Sequence, residues 1–212
     1  MKKFLITLIV TTESLFLFSQ DKKHKYYDND SNNNLYEISE SQYLSLKNDL
    51  SYPLIYENDS IKVSILSKIN ITSKLNESAL DYFKINYSLD KNNFTVINYI
   101  DNDPRKVSKS YQVPWSIFEG DFIKEMNKIE KISHFWVINP NVTNLYYYHG
   151  NKINWQKDTD NYIQKNFLFF EGFNGGYIIL DPKGNFYLHR GEYSKEDFLN
   201  KLKELKRESF KP

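Results

Sequence analysis

The chain has 212 residues, 40% of them hydrophobic and 17% aromatic, which is enough for one domain with an extension and a substantial core. It contains no cysteine, which excludes disulfides, dithiol exchange and any peroxidase chemistry that needs a cysteine thiolate. The formal net charge of +1 gives no electrostatic reason to expect nucleic acid or an anionic lipid surface as a partner.

The N-terminus has the pattern of a secretory signal peptide. Two lysines precede an apolar segment over residues 4–10, a second apolar run covers residues 15–18, and the small residue Ser19 follows. We expect cleavage after Ser19 and a protein that is periplasmic or secreted. Removal of residues 1–19 takes away two lysines and one glutamate, and leaves 26 basic and 26 acidic residues. A single anchoring helix is the alternative, which Glu13 and the short apolar length disfavour.

The first third of the mature chain predicts a leader followed by a small α/β region. Residues 20–34 are polar and asparagine-rich, which is typical of a flexible segment. Residues 35–90 are predicted to form an N-terminal α/β extension or a small subdomain. Within it we expect a short helix over 37–50, a strand over 60–72 where apolar residues alternate, and a helix over 76–89.

The remainder, residues 91–212, predicts one domain of alternating strands and helices. The expected elements are a strand at 93–100, a polar loop at 101–106, helical stretches at 104–112 and 117–131, a strand at 132–139, a loop-rich zone at 140–158 and a helix or helix-to-strand passage over 158–170. No later segment is apolar and long enough to span a bilayer.

The segment after residue 176 predicts a hairpin and a closing helix. Residues 177–180 form a continuous apolar run, which is typical of a strand buried on both faces. Asp181-Pro182-Lys183-Gly184 has the residue types of a tight turn, and residues 185–190 suit the returning strand. Ser194 is a good N-cap for an amphipathic helix that follows it.

This C-terminal stretch, "GGYIILDPKGNFYLHRGEYSKEDFLNKLKEL", resembles the C-terminal part of exported thioredoxin-like proteins of the TlpA/redoxin type. "NFTVINYI" at 93–100 is similar to the central strand of that family, and the likeness covers roughly residues 90–205. The resemblance implies an α/β fold with a thioredoxin-like sheet and flanking helices, in which a parallel β-α-β half precedes a hairpin and a closing helix.

The same resemblance implies the position of the redox site of the family. It also implies that the redox chemistry is lost in this chain. Reductases of the family carry a Trp-Cys-x-x-Cys motif directly after the central strand and a cis-proline just before the hairpin. Here residues 100–105 occupy the first position without any cysteine, and Gly175-Gly176 occupy the second. If the fold is kept for binding, the resemblance implies contact residues around these two segments. The candidates are Asp101, Asn102, Asp103, Arg105 and Asn174.

An aromatic segment is the other candidate contact region. Tyr146, Tyr147, Tyr148, His149 and Trp155 lie in the loop-rich zone, and aromatic rings with polar tips bind sugars or peptides well. Packing into the core is the alternative.

No metal site or cofactor is expected, because the four histidines show no close ligand spacing. The leading hypothesis is a redox-inactive binding or scaffold protein of the cell envelope, whose partner is an unknown envelope protein or peptide. Two alternatives stay open. One is an enzyme with unidentified non-thiol chemistry, and the other is a secreted interaction protein of another α/β fold.

Overall fold

A computed structural model describes residues 22–29, 35–48, 51–89, 92–103, 110–112, 120–168 and 174–209. The chain divides into two compact units, unit 1 at residues 1–67 and unit 2 at residues 68–212. Each unit contains a sheet with both parallel and antiparallel pairs, together with helices, so the α/β fold class predicted from the sequence is confirmed.

Unit 1 has a four-stranded sheet in the order β2-β1-β4-β3. The strands are β1 (Lys23–Asn29), β2 (Leu35–Ile38), β3 (Ser51–Glu57) and β4 (Ile61–Lys68). β1 runs antiparallel to β2 and parallel to β4. The short helix α1 (Glu40–Leu46) begins at a capping box in which Ser39 and Gln42 each bind the other's backbone N–H.

The N-terminal region differs from the sequence prediction in three respects. Strand β1 occupies part of the predicted leader at residues 20–34, and the boundary between the units follows Ser67 rather than residue 90. The segment predicted as one strand over 60–72 forms β4 and a further strand, β5 (Asn70–Lys74), which belong to different sheets. Alternation of apolar and polar residues identifies an extended segment, but pairing with distant strands decides which sheet that segment joins. The same pairing decides whether a polar segment such as β1 is extended at all.

Unit 2 has a six-stranded sheet in the order β5-β10-β9-β6-β7-β8. The strands are β5 (Asn70–Lys74), β6 (Phe94–Ile100), β7 (Ile132–Ile138), β8 (Gln156–Lys157), β9 (Gly175–Leu180) and β10 (Asn185–Arg190). β6, β7 and β8 are mutually parallel, whereas β9 runs antiparallel to β6 and β10 antiparallel to β9. The carboxyl ends of β6 and β7 therefore lie at one edge of the sheet, beside the first residue of β9.

The helices of unit 2 are α2 (Glu77–Tyr87), α3 (Gly120–Ile129), α4 (Tyr162–Asn166) and α5 (Lys195–Ser209), with a short 3-10 turn at Thr159–Asn161. The predicted N-cap Ser194 is confirmed, and Asn76 caps α2. The side chain of Asn76 accepts the backbone N–H of Ala79 at 2.9 Å, and Ser194 Oγ accepts that of Asp197 at 3.0 Å. The predicted helical stretch at 104–112 lies largely outside the described residues.

Apolar side chains cover both faces of the unit 2 sheet. On one face Ile97, Ile178 and Leu188 belong to a buried cluster with residues of α2 and α4. On the other face Val96 and Ile179 belong to a second buried cluster with residues of α3 and α5. Alternate residues of the central strands thus contribute to opposite cores, as the period of two in a strand requires.

The predicted hairpin is confirmed. Leu180 pairs with Phe186 and Tyr177 with His189 in antiparallel register. Asp181 Oδ1 accepts the backbone N–H groups of Lys183 and Asn185, each at 2.8 Å, which fixes the turn. Every residue of β9 is buried, so this strand lies in the centre of the sheet as the apolar run predicted.

Two glycines begin β9 because the neighbouring backbone leaves no room for a side chain. A Cβ at Gly175 would lie 2.1 Å from the carbonyl oxygen of Tyr99, and a Cβ at Gly176 would lie 2.1 Å from that of His189. Gly175 also has a φ of +128°, a conformation that L-residues rarely adopt. Gly175 and Gly176, which stand where the resemblance implied a cis-proline, thus allow neighbouring strands to pack closely.

Candidate functional site

The structure brings the two candidate contact regions of the sequence to the same edge of unit 2. Asp101, Asn102 and Asp103 follow β6, Asn139 follows β7, and Asn174 precedes the antiparallel β9. The loop between β7 and β8, residues 139–155, begins at this edge and contains the predicted aromatic segment. We call this region the polar edge, defined by Asp101, Asn102, Asp103, Asn139, Thr143, Asn144, Tyr148 and Asn174. In open α/β sheets, ligands bind at the carboxyl ends of the strands.

Asp101 is a buried structural residue of the polar edge and is only 3% exposed. Its Oδ1 accepts a hydrogen bond from Asn139 Nδ2 at 3.1 Å, and its Oδ2 accepts one from Asn102 Nδ2 at 3.3 Å. Its backbone N–H also donates to the carbonyl of Asn174. The carboxylate thus joins the ends of β6 and β7 and is not available as a surface contact, which corrects the sequence interpretation for this residue.

Asp103 holds the β7–β8 loop against β6. Its carboxylate accepts the backbone N–H of Thr143 at 3.0 Å, the Thr143 hydroxyl at 2.6 Å and the backbone N–H of Asn144 at 2.8 Å. Partial burial acts to raise the pKa of Asp103, but the hydrogen bonds from Thr143 and Asn144 outweigh it and hold that pKa below its usual range. The residue is therefore a charged anchor for the loop.

The aromatic segment is held from within the same loop. Tyr148 is buried, and its hydroxyl donates to the carbonyl of Asn102 at 2.6 Å, while Trp155 Nε1 donates to the carbonyl of Tyr148 at 2.9 Å. Burial raises the pKa of Tyr148 far above its ordinary value, so this hydroxyl remains a neutral donor. His149 is buried at a φ of 57°. Tyr148 and His149 thus contribute to packing, which was the alternative interpretation of this segment.

Trp155 and Tyr147 are partly buried beside these residues. The Trp155 ring meets Trp136 edge to face at 5.6 Å between centroids, and Tyr147 meets Tyr148 in the same way at 4.8 Å. Both lie against the small core cluster that contains Ile138. They stiffen the loop, and Tyr147 retains some exposed surface.

The accessible surface of this region comes mainly from other side chains. Tyr146 is 49% exposed, Leu145 is 39% exposed and Tyr111 is 49% exposed, and Asn174 is also exposed, at a φ of 61°. The Tyr111 ring lies 5.6 Å from that of Tyr147. No sequence pattern indicated Tyr111 or Leu145, because exposure of a single apolar residue in a loop has no local pattern. Arg105, the remaining predicted contact residue, lies outside the described residues.

A third carboxylate, Asp158, lies after β8 and is likewise used for structure. Its oxygens accept the backbone N–H groups of Ile163 and Gln164, each at 3.0 Å, at the start of α4. The hydroxyl of Tyr99 donates to the same carboxylate at 3.2 Å. Asp101, Asp103 and Asp158 are therefore all hydrogen-bonded to the protein, and the described residues contain no group of three His, Asp or Glu side chains arranged to hold a metal ion.

Comparisons with known proteins add no assignment to this geometry: no protein-family model matches the sequence, and a search of curated proteins finds no match. Within the described ranges, no helix combines the length and apolar character needed to cross a membrane.

Proposed function

We propose that this chain is an exported, redox-inactive thioredoxin-like protein that binds an envelope protein or peptide through exposed residues beside the polar edge. The observation that carries the proposal is the exposed surface of Leu145 and Tyr146, on a loop that Asp103 and Tyr148 fix in place, together with the exposed Tyr111, whose ring lies beside that loop. Aromatic side chains with few rotatable bonds give contact area at a low entropic cost, particularly on a loop that is already ordered.

The strand arrangement of unit 2 supports the thioredoxin-like part of the proposal. The parallel pair β6 and β7 is connected by a segment that includes α3, and the hairpin β9–β10 and the closing helix α5 come last in the chain. This order of elements is the one that the resemblance implies, with β6 in the place of the central strand.

The absence of cysteine supports the redox-inactive part, since disulfide exchange requires attack by a thiolate on sulfur. Asp101 and Asp103 stand in the segment where the resemblance implies the redox motif, and both are committed to hydrogen bonds within unit 2. We expect no disulfide reductase activity and a thermal midpoint that is the same with and without reductant. Reductase activity of the purified chain above a cysteine-free control protein would contradict this.

Site-specific photocrosslinking tests the binding surface. A photoreactive amino acid replaces Tyr146 in one variant and Lys183 in another, since Lys183 is exposed in the β9–β10 turn at the opposite end of the sheet. We expect a discrete crosslinked protein or peptide from the Tyr146 position and none from Lys183. Equal crosslinking from both positions, or from Lys183 alone, would place the contact elsewhere.

The partner identified in this way is then purified and titrated against variants. Tyr146→Ala should weaken its binding at least tenfold, while the free energy of unfolding changes by less than about 0.5 kcal/mol, as is usual for surface positions. Lys183→Ala is the matched control and should leave the affinity unchanged. An unchanged affinity of Tyr146→Ala would overturn the proposal.

Export is tested separately by N-terminal sequencing of the protein from its native source. We expect the mature chain to begin after Ser19. An intact Met1 would contradict both the signal peptide and the envelope location.

A further inference from the structure

A groove beside α5 has the features of a second binding site. It lies between α5 and strands β9, β10 and β5, and it encloses about 500 Å³, which is within the usual size range of small-ligand pockets. We call it the tyrosine groove; its main lining residues are Asn70, Tyr177, Tyr187, His189, Tyr193 and Lys201. These positions were not among the candidate residues of the sequence, because they come from three strands and a helix.

The amide of Asn70 is oriented by the protein. Tyr187 Oη donates to Asn70 Oδ1 at 2.8 Å, and His189 Nδ1 lies 2.8 Å from the same oxygen, while His189 Nε2 lies 3.2 Å from the carbonyl oxygen of Glu192. The hydrogen bond from Tyr187 orients the amide so that the NH₂ group of Asn70 points away from that hydroxyl. Asn70 is exposed at the edge strand β5 and lines the groove, so its NH₂ group is placed to donate to a ligand there.

The aromatic wall of the groove is rigid. The His189 ring stacks on Tyr177 with centroids 5.1 Å apart and an interplanar angle of 15°, and Tyr193 meets Tyr177 edge to face at 4.7 Å. The Tyr193 hydroxyl accepts a hydrogen bond from Asn98 Nδ2, which fixes the ring from the sheet side. His189 and Tyr193 remain partly exposed, so they present ring surface to the groove, while their polar atoms bind Asn70, Glu192 and Asn98.

The charges around the groove balance. Three lining residues are basic and three are acidic, namely Lys201, Lys203, Arg207, Glu192, Asp197 and Glu204. The Lys201 ammonium binds Glu204 at 2.7 Å and lies 4.8 Å from the centre of the Tyr187 ring, so its charge is already compensated. A lining without net charge gives no electrostatic preference for an anionic or a cationic ligand.

We propose that the tyrosine groove binds a neutral carbohydrate. Sugars present hydroxyl groups that both donate and accept hydrogen bonds, together with C–H faces that pack on aromatic rings. The oriented amide of Asn70, the carboxylates of the rim and the partly exposed rings of His189 and Tyr193 match those needs. This binding function is separate from the contact surface beside the polar edge and does not depend on it.

The test titrates the purified protein with cellobiose, maltose and N,N′-diacetylchitobiose as neutral probes and with glucose 6-phosphate as an anionic probe. Binding is followed by chemical-shift changes of backbone amides and by calorimetry. We expect at least one neutral probe to shift the amide resonances of Asn70, Tyr193 and Asn200, and to bind more tightly than glucose 6-phosphate.

The variant Asn70→Asp makes the test specific. It keeps the oxygen that Tyr187 and His189 contact but removes the two N–H donors, and we expect it to weaken binding of the neutral probe at least tenfold. Asn151→Asp makes the same chemical change at an exposed loop position outside the groove and should bind as the parent does. The proposal is overturned if no neutral probe shifts these resonances at concentrations up to tens of millimolar. It is equally overturned if Asn70→Asp binds unchanged or if the phosphorylated probe binds better than the neutral ones.

Discussion

The β9–β10 hairpin and the β7–β8 loop contribute to the same edge of unit 2 but are held by different interactions. The hairpin has β6 on one side and β5 on the other, and its apolar residues are buried in both cores. The loop depends on side chains that bind its backbone, chiefly Asp103 and Tyr148. Damage to the hairpin should therefore unfold the unit, whereas damage to the loop should loosen the loop alone.

The largest effect is expected at Gly176, which tests whether the hairpin tolerates any side chain at its first paired positions. In Gly176→Ala the new methyl group would overlap the carbonyl of His189 on the adjacent strand, at 2.1 Å. We expect a loss of about 4 kcal/mol or more in the free energy of unfolding, measured by denaturant titration. Lys183→Ala, in the exposed turn of the same hairpin, should change stability by less than about 0.5 kcal/mol. A similar small change in Gly176→Ala would show that the two strands are not in contact here.

Truncation of the apolar centre of β9 should have the next largest effect. Ile178 is 0% exposed and Ile179 is 1% exposed, and they belong to the two opposite cores. Each change to alanine should cost about 2–4 kcal/mol, because it removes apolar contacts and leaves a cavity. Equilibrium unfolding of both variants measures this. A cost below about 0.5 kcal/mol at both positions would mean that the strand is not central.

As the pH is lowered, the sheet should lose stability before the β7–β8 loop does. His134 on β7 tests the expected effect on the sheet. Burial lowers the pKa of His134 from 6.5 to about 4, and its Nε2 contacts Asn98 Oδ1 at 2.7 Å. The unfolded chain therefore binds a proton at higher pH than the folded chain does. Stability should fall as the pH decreases from 6.5 to about 4, by an amount on the order of 2 kcal/mol.

The variant His134→Gln isolates this contribution from the other titrating groups. As the pH is lowered from 6.5 to about 4, the free energy of unfolding of the variant should rise steadily relative to that of the parent protein. A difference between the two proteins that does not vary with pH in this window would show that His134 titrates normally in the folded state.

The smallest effect is expected at Asp103, in the loop. Its folded pKa lies below 3.8, so its stabilising hydrogen bonds are fully present above that pH and are lost as the pH falls through the lower folded value. Asp103→Ala should cost about 1 kcal/mol, comparable to the loss of a helix cap. Hydrogen exchange should accelerate at the amides of Thr143 and Asn144 but not at those of β9. Asp59→Ala, at an exposed position of unit 1, is the control for the substitution itself.

If Asp103→Ala instead accelerates exchange in β9 to the same extent as at Thr143, the loop and the hairpin form one cooperative element. The contrast between the two regions would then be wrong, and the exposed aromatic surface would owe its position to the whole unit.

The difference between the β9–β10 hairpin and the β7–β8 loop also explains how much of each could be predicted from the sequence. Residues 177–190 carry an apolar run, a turn with Asp and Gly at the required positions and a returning strand, and all of these signals act over a few residues. The structure reproduces that hairpin in detail. The aromatic loop contains residues suited equally to binding and to packing. The structure assigned Tyr148 and His149 to packing and left Tyr146 exposed, because the supporting contacts of the loop include Asn102 and Asp103, which lie some forty residues earlier in the chain.

The sequence by itself determined the absence of thiol chemistry, the α/β class, the hairpin and the N-cap of α5. These follow from residue identity and from interactions between near neighbours in the chain. Only the tertiary structure decided that β1 is a strand, that β4 and β5 belong to different sheets, that Asp101 is buried and that Asn70 pairs with His189 on the adjacent strand. Each of these depends on pairing or burial between residues far apart in the chain, whose partners are set by the packing of the whole unit and leave no local pattern.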